Sequence, residues 1–202
     1  MAARSDIDGA LGAVLAGGRS RRMGSPKPGA PLGGRTLIEH PLAAFARAGI
    51  PVVVVAKDDT ALPPLDVPIW RDRDDPVHPL SGIVAALRGA SGRAVVVCGC
   101  DMPFVTAELL RWLADHPEPV VIPRVDGRIH PLLARYGPDA LAALEAGLAA
   151  EASMQATVAA LDPQIVDEPQ LARFGDPSRM VANVNTPAQL AAAKALLDVE
   201  TI

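Results

Sequence analysis

Aromatic residues are scarce in this chain of 202 residues: Phe45, Phe104, Phe174, Trp70, Trp112 and Tyr136 are the full set. Proteins that read nucleic acid through stacked bases need aromatic platforms, so that class of function is not expected. Cysteine is nearly absent too, with only Cys98 and Cys100 one residue apart. A disulfide between them would be badly strained, which points to a reduced, cytoplasmic setting. Without further cysteines the pair reads as small buried residues at a strand end rather than a metal site. No apolar run approaches the roughly 18 residues of a membrane helix. Residues Met1-Ala2-Ala3-Arg4-Ser5-Asp6 lack the apolar stretch of a signal peptide. Nor is there a charge excess: charged residues are 21% and the net charge is −4, which excludes both disorder by charge and a polyanion-binding surface. What is present is apolar bulk. Half the chain is hydrophobic, enough for a core without staples, and small aliphatics must fill it.

Apolar runs and helix patterns alternate. Ala10 to Ala16, Val52 to Ala56, Ala94 to Cys98 and Pro119 to Ile122 are short continuous runs, rich in valine. Such runs fit strands buried on both faces, as in a parallel sheet under helices. Thr36-Leu37-Ile38-Glu39 reads as a capping box opening a helix to about Ala48, stopped by Gly49, with Pro41 early enough to be tolerated. Further helices are expected from about Leu80 to Arg88, after Thr106 to Trp112, and near 138–149, 154–161 and 187–197. Strand–helix alternation predicts an α/β fold with right-handed crossovers. No internal repeat or long linker divides the chain, so residues 1–202 read as one domain with a flexible N-terminus over 1–8.

The stretch after the first run carries most of the chemistry: Leu15-Ala16-Gly17-Gly18-Arg19-Ser20-Arg21-Arg22-Met23-Gly24-Ser25-Pro26-Lys27. Glycines let backbone N–H groups approach a phosphate, and cations balance its oxygens. From Gly9 to Ile38 there are five basic residues (Arg19, Arg21, Arg22, Lys27, Arg35) and no acidic one. Neither the P-loop spacing nor the dinucleotide fingerprint G-x-G-x-x-G occurs. The pattern L-A-G-G-x-S-x-R-M-G-x-x-K resembles the pyrophosphorylase-type nucleotidyltransferases, and among them most closely the molybdenum cofactor guanylyltransferase family. The resemblance runs from about residue 10 to 198. It implies a Rossmann-like three-layer sandwich with a mostly parallel central sheet, of the nucleotide-diphospho-sugar transferase type. It also implies GMP transfer from GTP to molybdopterin or its molybdenum-loaded form, with pyrophosphate released.

Later segments extend both readings. Cys98-Gly99-Cys100-Asp101-Met102-Pro103 puts a carboxylate at the carboxyl end of a buried strand, where open α/β sheets bind ligands. A lone carboxylate there suits Mg²⁺ shared with phosphates. The family's C-D-x-P segment implies that Asp101 binds Mg²⁺. Asp72, within Trp70-Arg71-Asp72-Arg73-Asp74-Asp75, matches a family aspartate that contacts the nucleotide; alone, the cluster would read as a solvated loop. His78-Pro79-Leu80-Ser81-Gly82 resembles the family's G-P-L-A-G, with His78 in place of glycine. Arg128-Ile129-His130-Pro131-Leu132 resembles an H-P segment on a later strand. Asn183-Val184-Asn185-Thr186-Pro187 resembles N-x-N-T-P before the last helix, and it also makes a plain helix cap. The two alternating asparagines suit a pterin's donor–acceptor edge, or support for a metal. Where many relatives carry a basic residue beside Ser153, this chain has Ala152 and Met154.

By this resemblance Leu15, Ala16, Gly17 and Gly18 hold base and triphosphate, Arg22 and Lys27 offset charge on the leaving pyrophosphate, Asp101 holds Mg²⁺, Asp72 contacts the nucleotide, and His130, Asn183 and Asn185 face the acceptor. The expected partners are GTP and molybdopterin, with transient contacts to other proteins of the cofactor pathway. An accessory GTPase-like partner is expected as a separate protein, and the chain is expected to act as a monomer away from nucleic acid and membranes. Cytidylyl transfer to the same cofactor, guanylyl transfer to another small phosphate, and an inactive nucleotide- or cofactor-binding carrier are the alternative readings.

Overall fold

The structure, a computed structural model, describes residues 9–17, 23, 26–72, 78 and 80–200. Ten strands occur among them: β1 Leu11–Leu15, β2 Pro31–Leu32, β3 Arg35–Thr36, β4 Val52–Ala56, β5 Ile69–Arg71, β6 Val95–Gly99, β7 Val120–Val125, β8 Arg128–Ile129, β9 Leu133–Tyr136 and β10 Gln164–Asp167. The helices are α1 Glu39–Ala48, α2 Ser81–Gly89, α3 Ala107–Asp115, α4 Leu141–Ala149, α5 Met154–Ala159, α6 Glu168–Leu171, α7 Pro177–Met180 and α8 Pro187–Glu200. The main sheet runs β10-β7-β9-β6-β1-β4-β5, with β8 attached to β7 and a separate β2–β3 hairpin. β1 lies parallel to β4 and β6, β4 to β5, and β7 to β10, while β9 runs antiparallel between β6 and β7 and β8 antiparallel to β7.

Valine builds this sheet because a β-branched chain packs on a pleated surface buried from both sides. The pleat divides each strand between two layers. Val14, Val54, Val96 and Cys98 pack with Phe45 of α1 and Leu109 and Leu113 of α3. Leu11, Ala13, Val53, Val55, Val95 and Val97 pack with Ile83 and Leu87 of α2, Leu144 of α4 and Val158 of α5. Three layers result, as expected. Both cysteines are free and buried, and burial pushes the Cys100 thiol up to about 12. They therefore sit as protonated core residues at the end of β6.

Aromatic scarcity is answered by one close approach. Phe45 is fully buried, and a Cβ on Gly12 would lie 2.6 Å from its ring. Only glycine lets this fully buried ring come so close to β1.

The four apolar runs are strands and the predicted helices are present, with ends shifted by a few residues. Two corrections have clear causes. Thr36 does not open α1; it pairs with Pro31 in the β2–β3 hairpin, and its N–H and Oγ1 both donate to Glu39 Oε2, at 2.5 and 2.7 Å. The capping carboxylate thus ties the hairpin to the helix, which starts at Glu39 instead. The later strand implied for the Arg128–Leu132 segment is present as β8, which ends at Ile129; β5, β9, β10 and the hairpin were not anticipated, because short strands of mixed polarity such as Gln-Ile-Val-Asp carry no apolar run.

Thr106 is a true cap: its Oγ1 accepts from Leu109 N at the start of α3. Thr106→Ala is expected to lower stability by about 1 kcal/mol, read from the urea midpoint at unchanged slope.

Candidate functional site

The chain reverses its direction of travel at β1. From there it passes through β4 to β5 on one side, while β6 takes the other. Such a switch point leaves a crevice beyond the carboxyl ends of the strands. The register levels those ends: Leu15 stands opposite Val55 and Gly99, Ala16 N donates to Val55 O, and Cys100 N donates to Leu15 O. A cavity of about 300 Å³ opens there, and Leu15, Ala16, Gly17, Lys27, Asp72 and Asp101 all line it. Six residues singled out along 87 positions of sequence are thereby brought to one place.

One wall is built by three distant segments. Lys27 begins a short 3₁₀ turn, Asp101 follows β6, and Asn185 precedes α8. Lys27 Nζ lies 2.6 Å from Asp101 Oδ2 and 2.6 Å from Asn185 Oδ1. The Lys27 and Asp101 side chains are 14% and 17% exposed, so the pair is reachable from the cavity but largely dry. Val184 N donates to Asp101 O, which fastens the asparagine segment to the carboxylate turn. Thr186 accepts from Gln189 N while Gln189 Oε1 accepts from Asn185 N, so the cap reading of this segment is also realised. Capping uses Asn185's backbone and leaves its side chain for Lys27. Asn183 instead donates its amide to Val181 O.

Gly99 belongs to this wall although no role was expected for it. A Cβ there would collide with Asp101 Oδ1. Glycine at the strand end is what allows the carboxylate to turn over β6.

The opposite wall holds a second ionic group. Asp72 follows β5, and its side chain is only 3% exposed. Its Oδ2 accepts from Ser81 Oγ at 2.6 Å and pairs with Lys57 Nζ at 3.0 Å. A solvated loop aspartate is thus not what the structure shows. Lys57 and Ser81 were missed in the sequence; the usable signal was that Lys57 is the first polar residue beyond the valine run of β4. His78, in place of a glycine, accepts from Leu80 N at Nδ1, and its carbonyl accepts from Ser81 N. It therefore orders the start of α2, whose Gly82 packs directly against Leu15.

His130 stands apart from the cavity lining, in the turn between β8 and β9. Its N–H donates to Pro123 O, and its buried Nε2 has no hydrogen-bond partner among the described residues. Burial holds its imidazole below the usual histidine range. Gly18 and Arg22, also singled out, lie outside the described residues, as does the 1–8 terminus.

The donor set at the first wall suits a hard cation. Asp101 Oδ2 and Asn185 Oδ1 converge on the same ammonium, so two oxygens already face one positive centre. Among the described residues no group of three or more His, Cys, Asp or Glu gathers for a metal. Any divalent ion here would take further oxygens from a ligand or water. No described helix is long and apolar enough to cross a membrane.

Comparison with known proteins agrees with this geometry. The sequence model of the MobA-like NTP transferase domain matches residues 12–165. A relative from Mycobacterium marinum, named "Probable molybdenum cofactor guanylyltransferase", is 38% identical over 198 residues, covering 93% of this chain and 94% of its own. One of the same name from Carboxydothermus hydrogenoformans is 34% identical over 183 residues, covering 87% and 90%. Among solved structures, the molybdopterin-guanine dinucleotide biosynthesis protein A of Archaeoglobus fulgidus superposes with a TM-score of 0.80 at 28% identity, covering 94% of this chain and 99% of its own. The 2-C-methyl-D-erythritol 4-phosphate cytidylyltransferase of Thermus thermophilus shares the fold alone, with a TM-score of 0.67 at 20% identity and coverage of 95% and 100%. With a family match over most of its length, near-full-length relatives and the switch-point crevice in place, this chain belongs to the MobA-like NTP transferases.

Proposed function

We propose that this protein transfers GMP from GTP to molybdopterin or its molybdenum-loaded form, giving the guanine dinucleotide cofactor and pyrophosphate. The observation that carries the reading is the Lys27–Asp101–Asn185 cluster at the end of the switch-point crevice, in a chain whose relatives carry the guanylyltransferase name. An oxygen of the acceptor's terminal phosphate attacks the α-phosphorus of GTP. The bond from that phosphorus to the bridging oxygen breaks, and pyrophosphate leaves with the electron pair. A phosphate monoester is largely dianionic near neutral pH, so no general base is needed. The chain's task is then alignment and charge neutralisation.

Its residues divide that task. Gly17 lines the crevice mouth and brings its backbone beside Lys57 and Asp72. Leu15 and Ala16 offer backbone beside the base, and Gly18 offers it to the triphosphate. Lys27, on leaving Asp101 and Asn185, meets the phosphate oxygens and, with Arg22, balances the departing pyrophosphate. Asp101 and Asn185 would hold Mg²⁺, which would supply positive charge to the reacting phosphates. His130, with its orphaned Nε2, and Asn183 serve the acceptor side. The protein acts in this reading as a cytoplasmic monomer that passes its product on through transient contacts.

Pyrophosphate release with molybdopterin tests the reading. GTP is expected to support turnover, CTP and ATP are not, and EDTA is expected to stop release until Mg²⁺ is restored. Release with CTP alone, or none with any nucleotide, would overturn it.

A further inference from the structure

A groove of about 790 Å³ lies away from the crevice and shares none of its lining residues. The β2–β3 hairpin, α1, the segment from Pro103 to Glu108, α7 and α8 all contribute to it. Arg35 and Arg47 line it, both exposed, and neither makes a hydrogen bond or ion pair among the described residues. Lys57, Arg71, Arg88, Arg111 and Arg124, by contrast, all sit in ion pairs. A third arginine, Arg179, holds its guanidinium 4.6 Å over the Phe104 ring. The two acidic residues of the lining serve helix starts. Asp176 Oδ1 accepts from Ser178 N and Arg179 N, and Glu108 lies in the first turn of α3, where the helix dipole offsets its charge. His40 adds no charge: Nε2 donates to Leu32 O at 3.0 Å, and burial holds its imidazole below the usual histidine range. The groove therefore presents arginine charge in a chain whose net charge is −4.

We propose that this groove docks an extended acidic segment of another protein, its carboxylates on Arg35 and Arg47 and an aliphatic side chain against Val105 and Met180. The length of the groove favours a chain over a small anion. His40 and Arg47 stand roughly 10 Å apart along α1, and Arg35 lies beyond His40. Arginines spread over that distance suit several anions on one strand, which rises about 3.3 Å per residue and so spaces every fourth side chain by roughly 13 Å. Each guanidinium can take a carboxylate with two parallel hydrogen bonds. Arginine and aromatic side chains around an apolar centre are also what protein interfaces favour. The groove backs onto the crevice. Phe104 and Leu197 pack against the cluster that holds Met23 and Val184, and Val184 N anchors the Asp101 carbonyl. A docked protein thus sits behind the Asp101 wall and leaves the crevice to the nucleotide.

Fluorescence anisotropy with a labelled synthetic peptide tests this. The peptide carries glutamates at every fourth position with leucines between them, and a control peptide replaces each glutamate by glutamine. At low salt the wild type is expected to bind the glutamate peptide on the order of 10-fold more tightly than the control. Arg35→Gln and Arg47→Gln are each expected to weaken it roughly 3- to 10-fold, the scale of one charge at a partly exposed contact. Both arginines are exposed, and if one variant does not fold the other carries the test. Lys27→Met and saturating GTP are expected to leave peptide binding unchanged, since the crevice is a separate site. Equal binding of the two peptides, none included, would overturn the docking. So would wild-type affinity in the double Arg35→Gln, Arg47→Gln variant, or displacement by GTP. Displacement by millimolar inorganic phosphate would also overturn it and mark a site for small oxyanions. Intact peptide binding without GMP transfer would instead defeat the proposed function and leave this groove standing.

Discussion

Asp101→Ala is expected to slow nucleotidyl transfer on the order of 10²–10³-fold while leaving the protein folded. The rate effect is the scale of one preorganised electrostatic group aimed at a charge that redistributes during reaction. In the proposed mechanism Asp101 is such a group. Gly99 makes room for its carboxylate, Val184 N anchors its carbonyl, and Lys27 and Asn185 converge on the same point. Folding survives because the anchor to Val184 is a backbone bond that alanine keeps. The ammonium left without its carboxylate keeps Asn185 Oδ1 as a partner at the edge of the crevice. Lys27→Met is expected to cost a similar factor. The double variant should lose far less than the product of the two, because both residues serve one arrangement. Steady-state rates for the three variants, beside their unfolding curves, check this. Near-wild-type turnover in folded Asp101→Ala would remove Asp101 from the mechanism.

Phe45→Ala is expected to destabilise the protein by about 3–5 kcal/mol, the range for a large aromatic removed from a closed core. Phe45 is fully buried and lies against Gly12 on β1, the central strand at whose end the crevice opens. Gly12→Ala is expected to cost about 1–3 kcal/mol for the opposite reason, as its methyl would press into the ring. The two losses should not add. Alanine at position 12 fills part of the space that Phe45→Ala empties, so the double variant should be more stable than the sum of the singles implies. Denaturant unfolding of the three variants gives the coupling, and strict additivity would show that the two residues do not share one packing site.

These outcomes bear on what could be read from the residues themselves. The buried strands were legible because Val52–Ala56 and its counterparts are continuous apolar runs, a signal that depends on nothing distant. The Lys27 loop and Asp101 were legible because glycine and charge at the end of such a run have few other uses. What stayed hidden was pairwise. Gly12 looks like any strand glycine until Phe45 is placed on it. Lys57 looks like a surface lysine until β5 brings Asp72 alongside, and β5 itself, Ile-Trp-Arg, is too short to show a period. Asn185 carried two readings, cap and ligand. The cap is realised through its backbone, while its side chain meets Lys27 in the crevice, where the ligand role belongs to the proposed mechanism.

The central claim is that the crevice at the end of β1 moves GMP from GTP onto molybdopterin. Following the fate of GTP labelled at the α-phosphorus tests it most directly. The account predicts that the label enters a guanine dinucleotide product in step with pyrophosphate formation, and that Asp101→Ala suppresses both together. Label that stays in GTP, or that appears only as free GMP, would contradict it.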